Sequence, residues 1–97
     1  MAFYAYLLRC NDGSFYAGHT DDLDQRILAH QSGLVPGYTA QRLPVTLVWS
    51  DSFRTREEAF SAERKLKGWA RAKKLALMNG DWDLIRVLAR NRQDGSP

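Results

Sequence analysis

The chain has 97 residues, 44% of them hydrophobic and 11% aromatic, which is typical of one globular domain and not of a disordered protein. No run approaches the roughly 18 apolar residues of a membrane-spanning helix, the first residues lack the basic region of a signal peptide, and the single cysteine, Cys10, excludes an internal disulfide. We therefore predict one cytoplasmic domain over residues 1–90, a flexible tail over residues 91–97, and no membrane partner.

Two strands joined by a tight turn are predicted at the start of the chain. Phe3 to Cys10 is aromatic and aliphatic throughout, as expected of a central strand. Asn11-Asp12-Gly13-Ser14 contains the Asp-Gly pair of a hairpin turn, so Phe15 to His19 should return as an antiparallel partner. Tyr6 and Tyr16 then lie on neighbouring strands and could project from one face. The alternative is that both are ordinary strand aromatics packed on a helix.

A helix over residues 22–31 follows the second strand. Asp21 is its predicted N-cap, because a carboxylate there can accept a hydrogen bond from the first turn. Arg26 and His30 are four residues apart and therefore share a face of the helix. The preceding strand brings Tyr16 close to the start of this helix. A phenol, a guanidinium and an imidazole are thus predicted to lie near one another.

A loop and a third strand come next. Residues 34–44 contain turn-forming Pro and Gly, and Thr39 and Arg42 supply a hydroxyl and a cation that could contact a backbone phosphate. Val45 to Trp49 is rich in β-branched and aromatic residues, which predicts a strand.

The next helix carries an acidic residue on its apolar side. Residues 55–58 form a capping box, and the helix should extend to about Lys67. Glu63 lies among apolar residues, including Phe60 and Leu66, where an unpaired carboxylate would be costly. An ion pair with Lys67 at i+4 is the simple explanation. A divalent metal ion at the edge of the core is the alternative.

Positive charge is concentrated in one segment. The net charge is +3, but residues 54–74 contain eight Lys and Arg against three Glu, whereas residues 1–53 contain three against five Asp. This block fits a surface that faces a polyanion, although a solvated helix face is the alternative. Its candidate nucleic-acid contacts are Lys67, Arg71, Lys73 and Lys74.

The last predicted elements are a short basic helix over residues 70–79 and a helix from Asp81 to about Arg90. The order β-β-α-β-α-α-α predicts an α+β (α/β) fold, in which a small, mostly antiparallel three-stranded sheet is flanked by helices.

Several kinds of site are excluded by the residues present. No phosphate loop, dinucleotide fingerprint or Gly-x-Ser-x-Gly elbow occurs, so no small-molecule cofactor is expected. Cys10, His19 and His30 are too few and too scattered for a structural zinc site. A hydrolase built from this chain would use water, tyrosine, cations and one acid.

An ordered set of residues is similar to the GIY-YIG nuclease domain and to its small stand-alone bacterial members. The set consists of Tyr4-Ala5-Tyr6, Tyr16-Ala17-Gly18, Asp22-Leu23 with Arg26 and His30, and Glu63 on a later helix. Tyr4-Ala5 replaces the Gly-Ile of the first motif and Ala17 replaces the Ile of the second, while both tyrosines and Gly18 are kept. Some relatives place an Asn where this chain has Leu75, so a phosphate contact there would pass to Lys73 or Lys74.

The resemblance implies a metal-dependent endonuclease that cleaves DNA, with a role in DNA repair or processing. In this interpretation Glu63 binds one Mg²⁺ or Mn²⁺, and Arg26 grips the scissile phosphate. His30 donates to a phosphate or leaving oxygen. Tyr6 acts as general base toward the attacking water, which Tyr16 orients.

Two other classes of function stay open at this point. A lone small domain has little surface with which to hold and select DNA, and most characterised relatives rely on an added domain. The chain could therefore be a non-catalytic nucleic-acid-binding domain on the same scaffold. A purely protein-binding adaptor is the third class.

Overall fold

A computed structural model describes residues 2–81 of the chain. Its elements are β1 (Phe3–Arg9), β2 (Phe15–Thr20), α1 (Leu23–Gln31), β3 (Thr46–Phe53), α2 (Arg56–Gly68) and α3 (Arg71–Met78). The predicted α+β class with a three-stranded sheet is confirmed, and both strand pairs are antiparallel. The helix predicted from Asp81 and the tail over residues 91–97 lie outside the described residues. Within residues 2–81, no helix is long and apolar enough to cross a membrane.

The strand β1 is the centre of the sheet, as predicted, with β2 and β3 at its two edges. The turn between β1 and β2 closes on a hydrogen bond of 2.8 Å from the Cys10 N–H to the Ser14 carbonyl. Gly13 has a φ of +83° in this turn, a conformation that L side chains rarely adopt. Because the turn fixes the register, each residue of β1 has a defined neighbour on β2.

The two faces of the sheet are covered by different helices. One face carries Tyr6, Leu8, Cys10 and Val45, against which Leu23 and Ile27 of α1 pack. The other face carries Leu7 and Ala17, which pack with Leu66 of α2 and Leu77 of α3. Since β2 is an edge strand, α1 and α2 flank that edge from opposite sides.

The helix starts follow local capping chemistry, with one correction. The capping box at α2 is present: the Thr55 hydroxyl accepts from the Glu58 N–H at 3.2 Å, and the Glu58 carboxylate accepts from the Thr55 N–H at 3.2 Å. At α1 the N-cap is Asp22, whose Oδ1 accepts from the Gln25 N–H at 3.2 Å, so the prediction of Asp21 was wrong. The helix begins one residue later than expected. Asp21 instead forms an exposed ion pair, in which its Oδ2 lies 3.6 Å from Nη2 of Arg56.

The third strand is longer than the sequence predicts. It continues past Trp49 to Phe53, and residues 50–52 pair with β1 although their side chains are exposed and polar. Backbone pairing with a buried central strand therefore extends β3 beyond the segment that its side-chain pattern marks.

Candidate active site

The two tyrosines share the face of the sheet that α1 covers. Tyr6 pairs with Gly18 and Tyr16 pairs with Leu8, and residues directly opposite each other in an antiparallel pair project to the same side. The Tyr6 side chain is buried, whereas Tyr16 is only partly buried. The predicted common face is therefore present, with Tyr16 as the more accessible phenol.

Gly18 makes room for the ring of Tyr6. A Cβ built on Gly18 would overlap the Oη and Cζ atoms of Tyr6. The ring cannot easily retreat, because it is buried and its hydroxyl is hydrogen-bonded. The glycine of the second motif is thus needed because the Tyr6 ring lies directly against the backbone of β2 at this position.

We expect Gly18→Ala to lower the free energy of unfolding by about 1 to 3 kcal/mol, the usual cost of overpacking a core. Urea unfolding followed by circular dichroism measures this loss. In a Tyr6→Leu background the shorter side chain leaves the space empty, so the same glycine substitution should cost much less. An equal loss in both backgrounds would show that the cost does not come from the Tyr6 ring.

A chain of hydrogen bonds runs behind the tyrosines. The Tyr6 Oη lies 2.8 Å from Nε2 of His30, and Nδ1 of His30 lies 2.9 Å from Oγ1 of Thr39. His30 and Thr39 are completely or almost completely buried. Either tautomer of a neutral imidazole satisfies both bonds, because the phenol and the hydroxyl can each donate or accept. The rings of Tyr16 and His30 are 5.2 Å apart.

Thr39 therefore has a different place from the one predicted. The sequence suggested a surface hydroxyl that contacts phosphate, but Thr39 is 1% exposed and bonded to His30. The buried end of the loop after α1 orients the imidazole instead. Sequence reasoning missed this because the contact joins residues nine apart through a loop without periodicity.

Burial keeps Tyr6 and His30, the titratable groups of this hydrogen-bonded chain, in their neutral forms. It raises the pKa of Tyr6 above its usual 10, although the guanidinium of Arg26 acts in the opposite direction. Burial, with a smaller contribution from Arg26, lowers the pKa of His30 from 6.5 to about 4. At neutral pH the structure thus holds a phenol and an uncharged imidazole in contact.

The buried His30 should make stability depend on pH. In the unfolded chain the imidazole binds a proton near pH 6.5, and in the folded protein only near pH 4. The unfolded state therefore binds more protons between these values, and the stability present above pH 6.5 is lost as the pH falls toward 4. We expect a loss of about 2 kcal/mol between pH 7 and 4.5. Urea unfolding at several pH values measures it.

The matched variant for this titration is His30→Gln, which cannot bind the proton. It should be less stable at pH 7 and should lose much less stability over the same interval. A parent and a variant with the same pH slope would contradict a buried neutral imidazole.

Arg26 lies beside this pair with an unused donor. It is partly buried on α1, and its Nε is buried without a hydrogen-bond partner in the described part of the chain. A buried donor left unpaired costs free energy, so an arriving acceptor would be favourable. This geometry is compatible with the predicted contact between Arg26 and a phosphate.

Glu63 lies on the α2 side of β2, away from Tyr6 and His30, and its carboxylate is bound by His19 and Lys67. Its Oε1 is 2.7 Å from Nδ1 of His19, and its Oε2 is 2.8 Å from Nζ of Lys67. Burial acts to raise the pKa of Glu63, but the hydrogen bonds from Lys67 and His19 outweigh it and the pKa is lowered. The carboxylate is therefore ionised at neutral pH. The predicted i+4 pair with Lys67 is present.

His19 is a site residue that the sequence analysis did not select. Its imidazole is hydrogen-bonded to Glu63, the one buried carboxylate of the described residues. Strand alternation offered a signal, because His19 must face opposite to Gly18 and hence toward α2. What the sequence did not show was that Glu63 lies opposite it.

The two sides of the site interact around the edge of the sheet. The carboxylate of Glu63 contributes to the raised pKa of Tyr6, although burial is the main cause. Tyr16 likewise adds to the raised pKa of Lys67, which is due chiefly to its bond with Glu63. The candidate site thus consists of two groups that flank β2: Tyr6, His30 and Arg26 on the α1 side, and Glu63, His19 and Lys67 on the α2 side. We call these two groups together the charged region at the β2 edge.

Arg42, Tyr38 and Tyr16 form a stack of side chains next to the site. The guanidinium of Arg42 is 3.7 Å from the centre of the Tyr38 ring, and that ring stacks on Tyr16 at 6.1 Å. Its Nε also pairs with Asp12 at 3.1 Å. Arg42 therefore remains a candidate for contacting nucleic acid next to the site.

The cations of α3 are less available than expected. Lys73 is 6% exposed with its Nζ 4.1 Å from the Trp69 ring, and burial lowers the pKa of Lys74. Arg71 donates to the Gly13 carbonyl at 2.6 Å. Lys73 thus lies against the protein rather than in water, and Lys74 is half-buried, while contact of either with nucleic acid stays a prediction. Lys65 and Lys67 on α2 are exposed.

Comparison with known proteins identifies the family of this chain. The model of the GIY-YIG catalytic domain matches residues 2–76. The chain belongs to the GIY-YIG family. A UPF0213 protein of Bacillus pumilus is 46% identical over 71 residues, which are 73% of this chain and 72% of that protein. A UPF0213 protein of Streptococcus pneumoniae is 42% identical over 80 residues, or 82% of this chain and 81% of that protein.

A solved structure shares the fold. The solution NMR structure of a UPF0213 protein from Bacillus halodurans is 43% identical, has a TM-score of 0.52, and is matched over 81% of this chain and 84% of that one. GIY-YIG domains are typically endonucleases that act on nucleic acids and generally use a divalent metal ion. Family membership therefore gives this chain a nuclease-type function.

Proposed function

We propose that this GIY-YIG domain is a metal-dependent endonuclease that hydrolyses DNA phosphodiester bonds, within one domain over residues 1–90. The observation that carries the proposal is the buried Nε of Arg26, which has no partner among the described residues and lies beside the hydrogen-bonded Tyr6–His30 pair, with the ionised Glu63 on the other side of β2. A carboxylate can hold a divalent ion, a guanidinium can bind a phosphate, and a hydrogen-bonded phenol can take part in proton transfer from water. DNA repair or processing and a cytoplasmic location stay predictions.

The donor available for the divalent ion of this family is one ionised carboxylate, that of Glu63. The described residues contain no cluster of three or more His, Cys, Asp or Glu side chains. Mg²⁺ commonly takes one or two carboxylates and fills its other positions with waters and phosphate oxygens, so one ionised carboxylate fits it. Glu63 would hold the ion, after Lys67, whose side chain is 55% exposed, has left Oε2. The bound ion would stabilise the charge that develops on the phosphate.

Arg26 would bind the scissile phosphate. Its planar group can give two parallel hydrogen bonds to phosphate oxygens, and its buried Nε gains the acceptor that it lacks. Because α1 fixes Arg26 beside Tyr6, a phosphate bound there would lie next to the phenol.

Tyr6 and His30 would move the proton of the attacking water together. The raised pKa of Tyr6 makes a free phenolate scarce at neutral pH. The phenol oxygen can accept the proton from water while its own proton passes to Nε2 of His30, 2.8 Å away. The negative charge of a bound phosphate favours the resulting imidazolium. Tyr16 would orient the water, and Thr39 would hold the imidazole.

The contacts of Glu63 favour a second candidate function, which is binding of nucleic acid without cleavage. Both oxygens of Glu63 are paired in the free protein, as expected of a scaffold that only binds nucleic acid. A titration on labelled DNA at several salt concentrations, with and without Mg²⁺, separates the two functions. An endonuclease cuts when Mg²⁺ or Mn²⁺ is present. A simple binder leaves the strand intact, and its affinity falls with salt whether or not the metal is present.

A further inference from the structure

An exposed aromatic ring lies next to the candidate site and belongs to neither core cluster. Phe60 is on α2, one turn before Glu63, and is 44% exposed. Its ring is 5.2 Å from the ring of His19, which holds the carboxylate of Glu63. The cation of Arg64 is 5.8 Å from the centre of the Phe60 ring. A large apolar side chain is therefore left in water within a few ångströms of charged site residues.

Open grooves flank this ring. One groove, with a volume of about 440 Å³, is lined by Phe60 together with Glu57, Ser61, Arg64 and Lys65. Another, of about 320 Å³, is lined by Glu57, Phe60, His19 and Arg56 and has a mostly apolar wall. Both are shallow and open to solvent, so a flat group could slide against the ring without any rearrangement of the core.

The chemistry of these grooves favours a neutral ring over a phosphate. Glu57 lines both of them, and its carboxylate would repel an anion while accepting hydrogen bonds from N–H groups at the edge of a base. Arg64 and Lys65 line the first groove beside the same ring and could pair with the phosphates on either side of that base. Charge and shape thus match one nucleotide of a strand whose base is turned toward the protein.

We propose that Phe60 is a stacking platform for one unpaired nucleobase close to the scissile phosphate. The preferred substrate is then a DNA strand that is single-stranded or frayed at that nucleotide. A base inside a duplex already stacks on its neighbours and must be unpaired before an aromatic side chain can reach its face. This inference rests on the proposed endonuclease function for the position of the phosphate, whereas the stacking contact itself needs only binding.

The test compares two forms of one DNA sequence containing 2-aminopurine, a base whose fluorescence is quenched by stacking. The 97-residue chain is titrated with the single strand and with the blunt duplex, without metal. We expect the parent to quench the single strand, and Phe60→Ala to weaken its binding about 5- to 100-fold, as for the loss of one base–aromatic stack. Binding of the duplex should change less than about twofold. Phe60→Trp should retain the parent's affinity and quenching.

The matched control is Leu28→Ala, which removes another exposed apolar side chain, 60% accessible, from α1. It should leave both affinities unchanged. Equal weakening of single strand and duplex by Phe60→Ala, or no weakening of either, would overturn the stacking platform. If quenching depends on Phe60 but the parent cuts neither DNA with Mg²⁺ or Mn²⁺, the platform stands and the endonuclease proposal fails.

Discussion

Glu63→Gln should lower the single-turnover rate of DNA cleavage by about 1000-fold or more. The substitution keeps the size of the side chain and removes the negative charge that would hold a divalent ion. Losing one oriented charge or donor in an active site commonly costs 100- to 1000-fold in rate, and here the metal would be lost with it. A quenched-flow or gel time course on 5′-labelled DNA, with protein in excess, measures the rate.

The fold should survive this change. The amide can still accept a hydrogen bond from His19 or Lys67, and circular dichroism checks that the helices persist. Asp51→Asn is the matched control, because it removes the same charge from an exposed position on β3, at the opposite edge of the sheet from β2. It should cleave like the parent. A Glu63→Gln protein that is as active as Asp51→Asn would remove Glu63 from the mechanism.

Arg26→Ala should lower the rate by about 100- to 1000-fold at saturating protein. The guanidinium acts on both Tyr6 and His30, and its Nε, which has no partner among the described residues, can donate to a phosphate. Because the phosphate gains charge density during attack, the contact should strengthen in the transition state, so the rate should fall more than the affinity. Binding and cleavage are measured separately on the same labelled strand.

The control for this variant removes another arginine. Arg54→Ala deletes an exposed guanidinium in the turn between β3 and α2, and its effect on the rate should be small. Loss of affinity without loss of rate in Arg26→Ala would make Arg26 a binding residue only.

Local sequence signals were sufficient for much of the fold. The Asp-Gly turn, the capping box and the run from Phe3 to Cys10 each depend on neighbouring residues, and the structure has all three. The shared face of Tyr6 and Tyr16 also followed, because a hairpin turn fixes the register of its strands.

Contacts between distant segments could not be predicted in the same way. His19 meets Glu63 across 44 positions of sequence, and Thr39 meets His30 through an irregular loop. In each case a polar side chain that looked free in the sequence has its partner in the tertiary structure.

The most direct test of the central claim is single-turnover cleavage of one 5′-labelled DNA strand by the unaltered protein, in Mg²⁺ and in EDTA. If the charged region at the β2 edge hydrolyses phosphodiesters, the strand should be shortened in a single exponential phase with Mg²⁺ and should stay intact with EDTA. A strand that binds at low salt and remains uncut with both Mg²⁺ and Mn²⁺ would contradict the claim.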